Sequence, residues 1–273
     1  MTGSDGVIAA AVPYAAPMTV RPRFHANDAS RDVLDIERLA VEVANARSSD
    51  TPPQLEREGF QLFRHRSAIA DFRDPAIIEE RHSGEIRELL LEVSGADAVT
   101  VVPRGVLRFA ERSPECGQYD NSHPARFVHV DVSDATAGVF ATQANPFPDR
   151  RLRRFCQYNV WRALSPPPQD VPLAVCDART VEPTDLVPAD AVFDSTSAPE
   201  WSFEALVVLG SARHRWSYFR DMDRDEVLVF KTNDSGPSRA HCVPHVAVDD
   251  PGCPPGVPPR MSIEMRGTAY WYD

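Results

Sequence analysis

Lysine is almost missing from this chain. Of its 29 basic side chains, 28 are arginine and one is Lys231. Together with abundant Ala, Pro and Asp, that bias suggests a high-GC, bacterial genome, and it singles out Lys231 in a chain that otherwise uses Arg as its cation. Positive charge is also in deficit. Forty acidic residues against 29 basic ones leave a net charge of −11, which argues against a broad nucleic-acid surface or an anionic-membrane surface. No apolar run approaches the ~18–20 residues of a membrane helix. The weakly apolar "VIAAAVPYAAPM" near the start has an Asp and no Lys or Arg before it, so it does not read as a secretory signal. Paired cysteines are absent as well. Cys116, Cys156, Cys176, Cys242 and Cys253 are odd in number and widely spaced, with no CxxC, which fits reduced thiols and a cytoplasmic location. There is no Gly-rich phosphate loop, no GxSxG and no HExxH, so nucleotide, serine-hydrolase and zincin chemistry lack their usual carriers.

What is present is a long chain punctuated by proline. The 273 residues hold 25 prolines, concentrated in "SPPPQDVP" (165–172), "EPTDLVPADAVFDSTSAPE" (182–200) and "DDPGCPPGVPP" (249–259). These stretches read as loops that break any long helix. Helical spacing of apolar residues is clearest at "DVLDIERLAVEVANAR" (32–47) and "DPAIIEERHSGEIRELLLEVSG" (74–95). The second opens on Asp74-Pro75 and closes on Gly95, a start and stop pair for a helix. Between them, "LEREGFQLFRHRSAIADF" (55–72) reads as strand, turn and strand. From residue 98 onward the period shortens to two. "FVHVDVS", "RFCQYNVWRAL", "PLAVCDAR", "FEALVVL", "EVLVFKTND" and "SIEMRGTAYWY" are short, rich in Val, Phe, Tyr and Trp, and separated by turn residues. The expected architecture is mainly β: one domain over 1–273, with an N-terminal α/β elaboration (1–97) packed on an antiparallel double-stranded β-helix of the jelly-roll, cupin-like kind (98–273). Trp161, Trp201, Trp216 and Trp271 are expected as core aromatics.

In "ARFVHVDVSDA" (125–135) the alternation of a strand puts His129 and Asp131 on one face and Val128, Val130 and Val132 on the other. A carboxylate among valines needs a cation, strong donors or a metal. A 2-His-1-carboxylate set, which suits non-haem Fe(II) and leaves coordination positions open, needs one more imidazole. His245 in "HCVPHVAVDD" lies in a strand-like stretch, with 113 residues between it and Asp131. His241, four residues earlier, competes for the role from a less strand-like context. Further on, Arg260 and Ser262 in "PPRMSIEMRG" share a face, with Arg266 farther along it. A planar guanidinium beside a hydroxyl suits a carboxylate.

These pieces, with "QYNVWRAL" (157–164) and "WSYFRDMDRDEVLVFKTNDS" (216–235), resemble the hydroxylase/desaturase family of Fe(II)/2-oxoglutarate-dependent oxygenases, the group that includes CmcJ, AsaB and gibberellin desaturase. The resemblance runs through most of the chain in order. It implies Fe(II) at His129, Asp131 and His245, O2 as oxidant, and 2-oxoglutarate held by Arg260 and Ser262. Tyr158, Asn159 and Arg266 are further contacts for that co-substrate. It also implies hydroxylation, desaturation or oxidative ring closure of a small natural-product intermediate. Where an acidic residue is usual between the Arg and Ser of the family's clamp, this chain has Met261. Arg108, Arg162 and Lys231 would supply positive charge to the pocket, which suggests a carboxylate-bearing substrate. Two other readings compete: a cupin-like metalloenzyme that does not use 2-oxoglutarate, and a non-catalytic β-sandwich binding protein.

Overall fold

The structure is a computed structural model and describes residues 6–195 and 198–273. Fifteen strands occur among the described residues. In chain order they are β1 (Val7–Ala15), β2 (Arg23–His25), β3 (Ile36–Asn45), β4 (Phe60–Arg64), β5 (Ala98–Val101), β6 (Val106–Phe109), β7 (His129–Val130), β8 (Leu152–Ala163), β9 (Leu173–Cys176), β10 (Leu186–Phe193), β11 (Trp201–Val208), β12 (Trp216–Tyr218), β13 (Glu226–Asp234), β14 (His245–Ala247) and β15 (Met261–Tyr272). Nine of them form one sheet in the order β1-β3-β12-β9-β14-β7-β11-β10-β2. The other sheet runs β4-β13-β8-β15-β5, with β6 also paired to β15. This is the mainly β, double-stranded β-helix architecture expected from the short alternating strands.

Strands from residues 7–64 belong to both sheets, so the first 97 residues are woven into the β core rather than packed onto it. The segment expected as a helix over 32–47 is instead β3. Its apolar residues Leu39, Val41 and Val43 alternate with Arg38, Ala40 and Glu42, and β1 pairs with it from Val7↔Ala44 to Ala15↔Ile36. A spacing of Ile36, Leu39, Ala40 and Val43 fits a helix stripe too, and the partner strand decides between the two. The 182–200 stretch is likewise not a loop throughout. Residues 186–193 form β10, paired along its length with β11. Pro188 lies on the part of β10 that β2 leaves uncovered, because β2 pairs only with Asp190, Ala191 and Val192. Residues 196–197 of that stretch lie outside the described residues.

The helix over 74–95 forms as its end signals require. The Asp74 side chain caps it by accepting from the Ala76 amide, Pro75 sits in the first turn, and Gly95 ends it at φ 61°. In order, the element comprises α1 (Pro75–Ile77), a π turn (Ile78–His82) and α2 (Ser83–Ser94). Ile86, Leu89 and Leu90 bury against the outer face of the smaller sheet, on Tyr158, Val160, Val229 and Met265. A further helix, α3 (Asp134–Gln143), follows directly on β7 with Ser133 as its N-cap. Its hydroxyl accepts from the Thr136 amide. Between the sheets, Phe60, Trp161, Val175, Leu228, Phe230 and Val243 form the packed half of the interior. The other half is open and holds the polar residues described next.

Candidate metal centre

Strand register brings the first two imidazoles together. His245 of β14 pairs directly with His129 of β7, so their rings stand 4.3 Å apart, centroid to centroid. Val128 and Val130 flank His129 and point the other way, into the core behind the larger sheet. The chain leaves β7 after Val130, and Asp131 lies in the bend before α3. Its Oδ1 sits 3.4 Å from His129 Nε2 and 3.6 Å from His245 Nε2. The candidate ligand atoms of the three residues all lie within 4.8 Å of one another.

Each imidazole is oriented by its own backbone neighbourhood. His129 Nδ1 lies 3.0 Å from the Phe127 carbonyl, and His245 Nδ1 lies 3.2 Å from the Val243 carbonyl. A carbonyl only accepts, so both Nδ1 atoms carry the proton. Both Nε2 lone pairs then face the centre, which is the tautomer a metal requires. Burial pushes the His129 imidazole below its ordinary pKa, and His245 beside it adds to the shift. Burial alone would raise the Asp131 carboxyl. The Arg266 guanidinium beside it is the largest opposing influence and holds Asp131 well below the usual carboxylate range. The centre therefore offers two imidazole Nε2 atoms and one carboxylate oxygen as candidate ligands.

The second oxygen of Asp131 is occupied. Asn159 Nδ2 donates to Oδ2 at 2.8 Å, and Arg266 Nη2 lies 3.2 Å from the same atom. Arg266 also pairs with Glu264 at 2.9 Å. It was expected to contact the co-substrate, but here it braces the carboxylate instead. Asn159, Glu264 and Arg266 share the inner face because β8 and β15 pair Trp161 with Glu264 and Asn159 with Arg266.

Arg260 and Ser262 are together and buried, as their spacing on a strand predicts. Arg260 Nη1 donates to Ser262 Oγ at 2.6 Å. Its side chain is fully enclosed, yet Nε and Nη2 have no partner. Burial lowers this guanidinium to about 10, with Arg108 contributing. Orphaned guanidinium donors are costly to bury, so this site calls for an anion. Arg260 borders the same narrow crevice as His129, His245, Arg108 and Glu264.

Other expected residues do not come to this place. His241 is pinned to the Asp134 carboxylate and the Asp234 carbonyl, outside the centre. Tyr158 and Arg162 alternate with Asn159 and Trp161 on β8, so both face the helix side. Tyr158 packs under α2. Arg162 is consumed by His65 and by the carbonyls of His65 and Arg224. Lys231 pairs across β13 and β8 with Tyr158, so it shares that outer face. There it binds Asp234 at 2.7 Å and Glu56 at 3.2 Å. Of the three residues expected to give the pocket positive charge, only Arg108 borders it, and Arg108 donates to Asn121 and to the His123 carbonyl. Three of the four tryptophans are buried, but Trp201 is 52% exposed.

Known proteins resemble this chain over most of its length. A family model described as "Oxidoreductase/YMDC permease-like domain" matches residues 11–270. The curated relatives include the alpha-ketoglutarate-dependent dioxygenase phiK of a fungal species, 28% identical over 96% of this chain and 95% of its own length. The Fe(II)/2-oxoglutarate-dependent dioxygenase nvfI of Aspergillus novofumigatus is 32% identical over 71% of this chain and 67% of its own. The hydroxylase/desaturase CTB9 of Cercospora beticola is 28% identical over 87% and 78%. Among solved structures, the iron and alpha-ketoglutarate-dependent endoperoxidase NvfI superposes with a TM-score of 0.82 at 23% identity, over the whole of both chains. These relatives are fungal, so the bacterial source suggested by the arginine bias finds no support in them.

Proposed function

Since the chain belongs to the hydroxylase/desaturase family of Fe(II)/2-oxoglutarate-dependent oxygenases, we propose that His129, Asp131 and His245 are its iron ligands and that Arg260 with Ser262 anchors the co-substrate. The observation that carries this reading is the pairing of two sites in one interior. One is a triad with both Nε2 lone pairs turned inward. The other is a buried guanidinium with two unpartnered nitrogens on the same crevice. The donor set suits ferrous iron, and the orphaned donors of Arg260 suit the far carboxylate of 2-oxoglutarate.

Fe(II) held by His129, Asp131 and His245 would supply O2 activation, with 2-oxoglutarate as the source of electrons, for oxidation of a C–H bond in a small natural-product intermediate by hydroxylation, desaturation or ring formation. The protein's part is placement. Asn159 and Arg266 hold Asp131 Oδ2, which leaves Oδ1 facing the two Nε2 atoms, where it would serve as a ligand. The carbonyls of Phe127 and Val243 hold the imidazoles in the ligating tautomer. Phe230, packed 4.7 Å from the His245 ring, keeps water from that side. Ser262 fixes the Arg260 fork, so its free edge is presented without a rotamer search.

No helix among the described residues is long and apolar enough to cross a membrane. All five cysteines are free thiols, which fits a cytoplasmic enzyme. The test is anaerobic addition of Fe(II) followed by 2-oxoglutarate. A visible charge-transfer band is expected only with both present, and it should vanish in His245→Ala. A wild-type protein that binds iron but gives no band would leave the cupin-like reading without 2-oxoglutarate.

A further inference from the structure

Two chambers open on either side of the Asp131–Arg266 pair. One, of about 300 Å³, is bordered by polar groups that include Arg108, Asn121, His123 and Arg126. The other, of about 530 Å³, has Asp131 and Arg266 at its edge and an aromatic wall of Phe140, Phe193, Trp201 and Phe203. The wall is ordered. Phe193 and Trp201 stack at 4.6 Å with planes 19° apart, and Phe193 and Phe203 stack at 5.3 Å and 24°. Phe140, from α3, stands edge-on to Phe203 at 5.3 Å and 76°. The hairpin register places Phe193 opposite Trp201, so the stack is built into the β10–β11 pairing.

Charge in this chamber is cancelled. The charged side chains bordering it are Asp131 and Arg266, and the guanidinium is already shared between Asp131 and Glu264. An entering anion would meet the Asp131 carboxylate and a guanidinium already spent on two carboxylates. An entering flat apolar group would meet the faces and edges of four rings. We propose that this chamber is the substrate site and that it takes a neutral, ring-bearing apolar molecule. The ring lies against Phe193, Trp201 and Phe203, with the oxidisable carbon toward Asp131. This assignment rests on the oxygenase reading above for its chemistry, and it replaces a carboxylate-bearing substrate with an uncharged one.

The experiment is calorimetric titration of the full-length, metal-free protein with two probes of one shape, neutral 2-acetylnaphthalene and anionic 2-naphthoate. The neutral probe should bind about tenfold tighter or better. Trp201→Ala and Phe203→Leu should each weaken it about five- to tenfold, the scale of one lost aromatic contact. Trp201→Phe should recover most of the loss. Trp201 is largely exposed, so its truncation leaves the core intact, and circular dichroism confirms folding of both variants. Equal or tighter binding of 2-naphthoate, or unchanged binding in folded Trp201→Ala and Phe203→Leu, overturns the proposal. The iron and 2-oxoglutarate band needs no substrate. A band with failed ring selectivity therefore sinks the substrate assignment alone, whereas ring selectivity without a band keeps the binding site and removes the 2-oxoglutarate chemistry on which its role as substrate rests.

Discussion

Arg266 Nη2 lies 3.2 Å from Asp131 Oδ2, inside the protein and next to the histidine pair. The contact divides the carboxylate's two oxygens between two tasks. One is held by Arg266 and Asn159, and the other faces the imidazoles. Removing the guanidinium frees the carboxylate to rotate or to bind a metal through both oxygens. Outer partners of metal ligands are typically worth about 10–100-fold in affinity. Arg266→Met is therefore expected to lose Fe(II) affinity on that scale in anaerobic titration, with Asn159→Ala showing a smaller loss. An Arg266→Met protein that binds Fe(II) as tightly as wild type would show that the ion pair is only structural.

The two candidate imidazoles in "HCVPHVAV" separate cleanly. His245→Ala should abolish stoichiometric Fe(II), because its Nε2 is one of the three inward lone pairs. His241→Ala should keep the iron, since its ring is spent on Asp134 and on the Asp234 carbonyl. Iron content after anaerobic loading and desalting reads both variants in one assay.

Arg260→Ala should leave iron binding intact and raise the KM for 2-oxoglutarate about 10- to 100-fold, the worth of a charge-assisted pair in a dry site. Arg260→Lys should recover only part, because an ammonium cannot reproduce the fork that Ser262 fixes. An unchanged KM in Arg260→Ala would reassign the co-substrate to another cation.

How much of this was legible beforehand follows from the period of each segment. His129 and Asp131 could be proposed together because alternation along "FVHVDVS" is a local property, although Asp131 sits in the bend just after β7 and His245 joins them only through the β14–β7 pairing. The direction of Arg162 was equally available, since Asn159 faces inward and Arg162, three residues on, must face outward. That of Lys231 was not, because it follows only from the pairing of β13 with β8. Charge type, rather than parity, had suggested them for the pocket. The role of Arg266 was not legible, because it depends on β15 lying beside β8 in one register. The strand at 36–45 was misread for the same reason, since only its pairing with β1 distinguishes it from an amphipathic helix. The aromatic wall needed the β10–β11 hairpin, which the prolines of 182–200 concealed.

The pH dependence of stability should carry the mark of His82. This ring is buried in the π turn, edge-on to Phe72 at 4.9 Å, with Nδ1 2.8 Å from Glu85. Burial lowers it to about 4, against the opposing hydrogen bond to Glu85. The unfolded chain binds this proton near pH 6.5 and the folded chain resists it until about pH 4. Stability from this group is therefore complete above pH 6.5 and falls as the pH drops toward 4, by about 3 kcal/mol in all. Urea denaturation of His82→Gln against wild type should show a variant less stable at pH 7 but with a shallower loss between pH 6.5 and 4. Parallel curves for the two proteins would show that His82 does not titrate with unfolding.

Lys231, the single lysine, is 0% exposed and lies on the face of the smaller sheet turned away from the iron site. Its partner Asp234 is not left alone without it, because Arg154 and the Gly236 amide also bind that carboxylate. Lys231→Met keeps the length and apolar bulk of the side chain and removes one of three donor groups. The expected cost is about 1–3 kcal/mol, that of a buried charged hydrogen bond, rather than that of an abandoned ion. The KM values for 2-oxoglutarate and for the substrate should stay at wild-type levels, since Lys231 reaches neither the crevice nor the aromatic chamber. A lowered Tm with unchanged KM values places Lys231 in the framework. A raised substrate KM at unchanged Tm would put a cation back in the pocket and would count against an uncharged substrate.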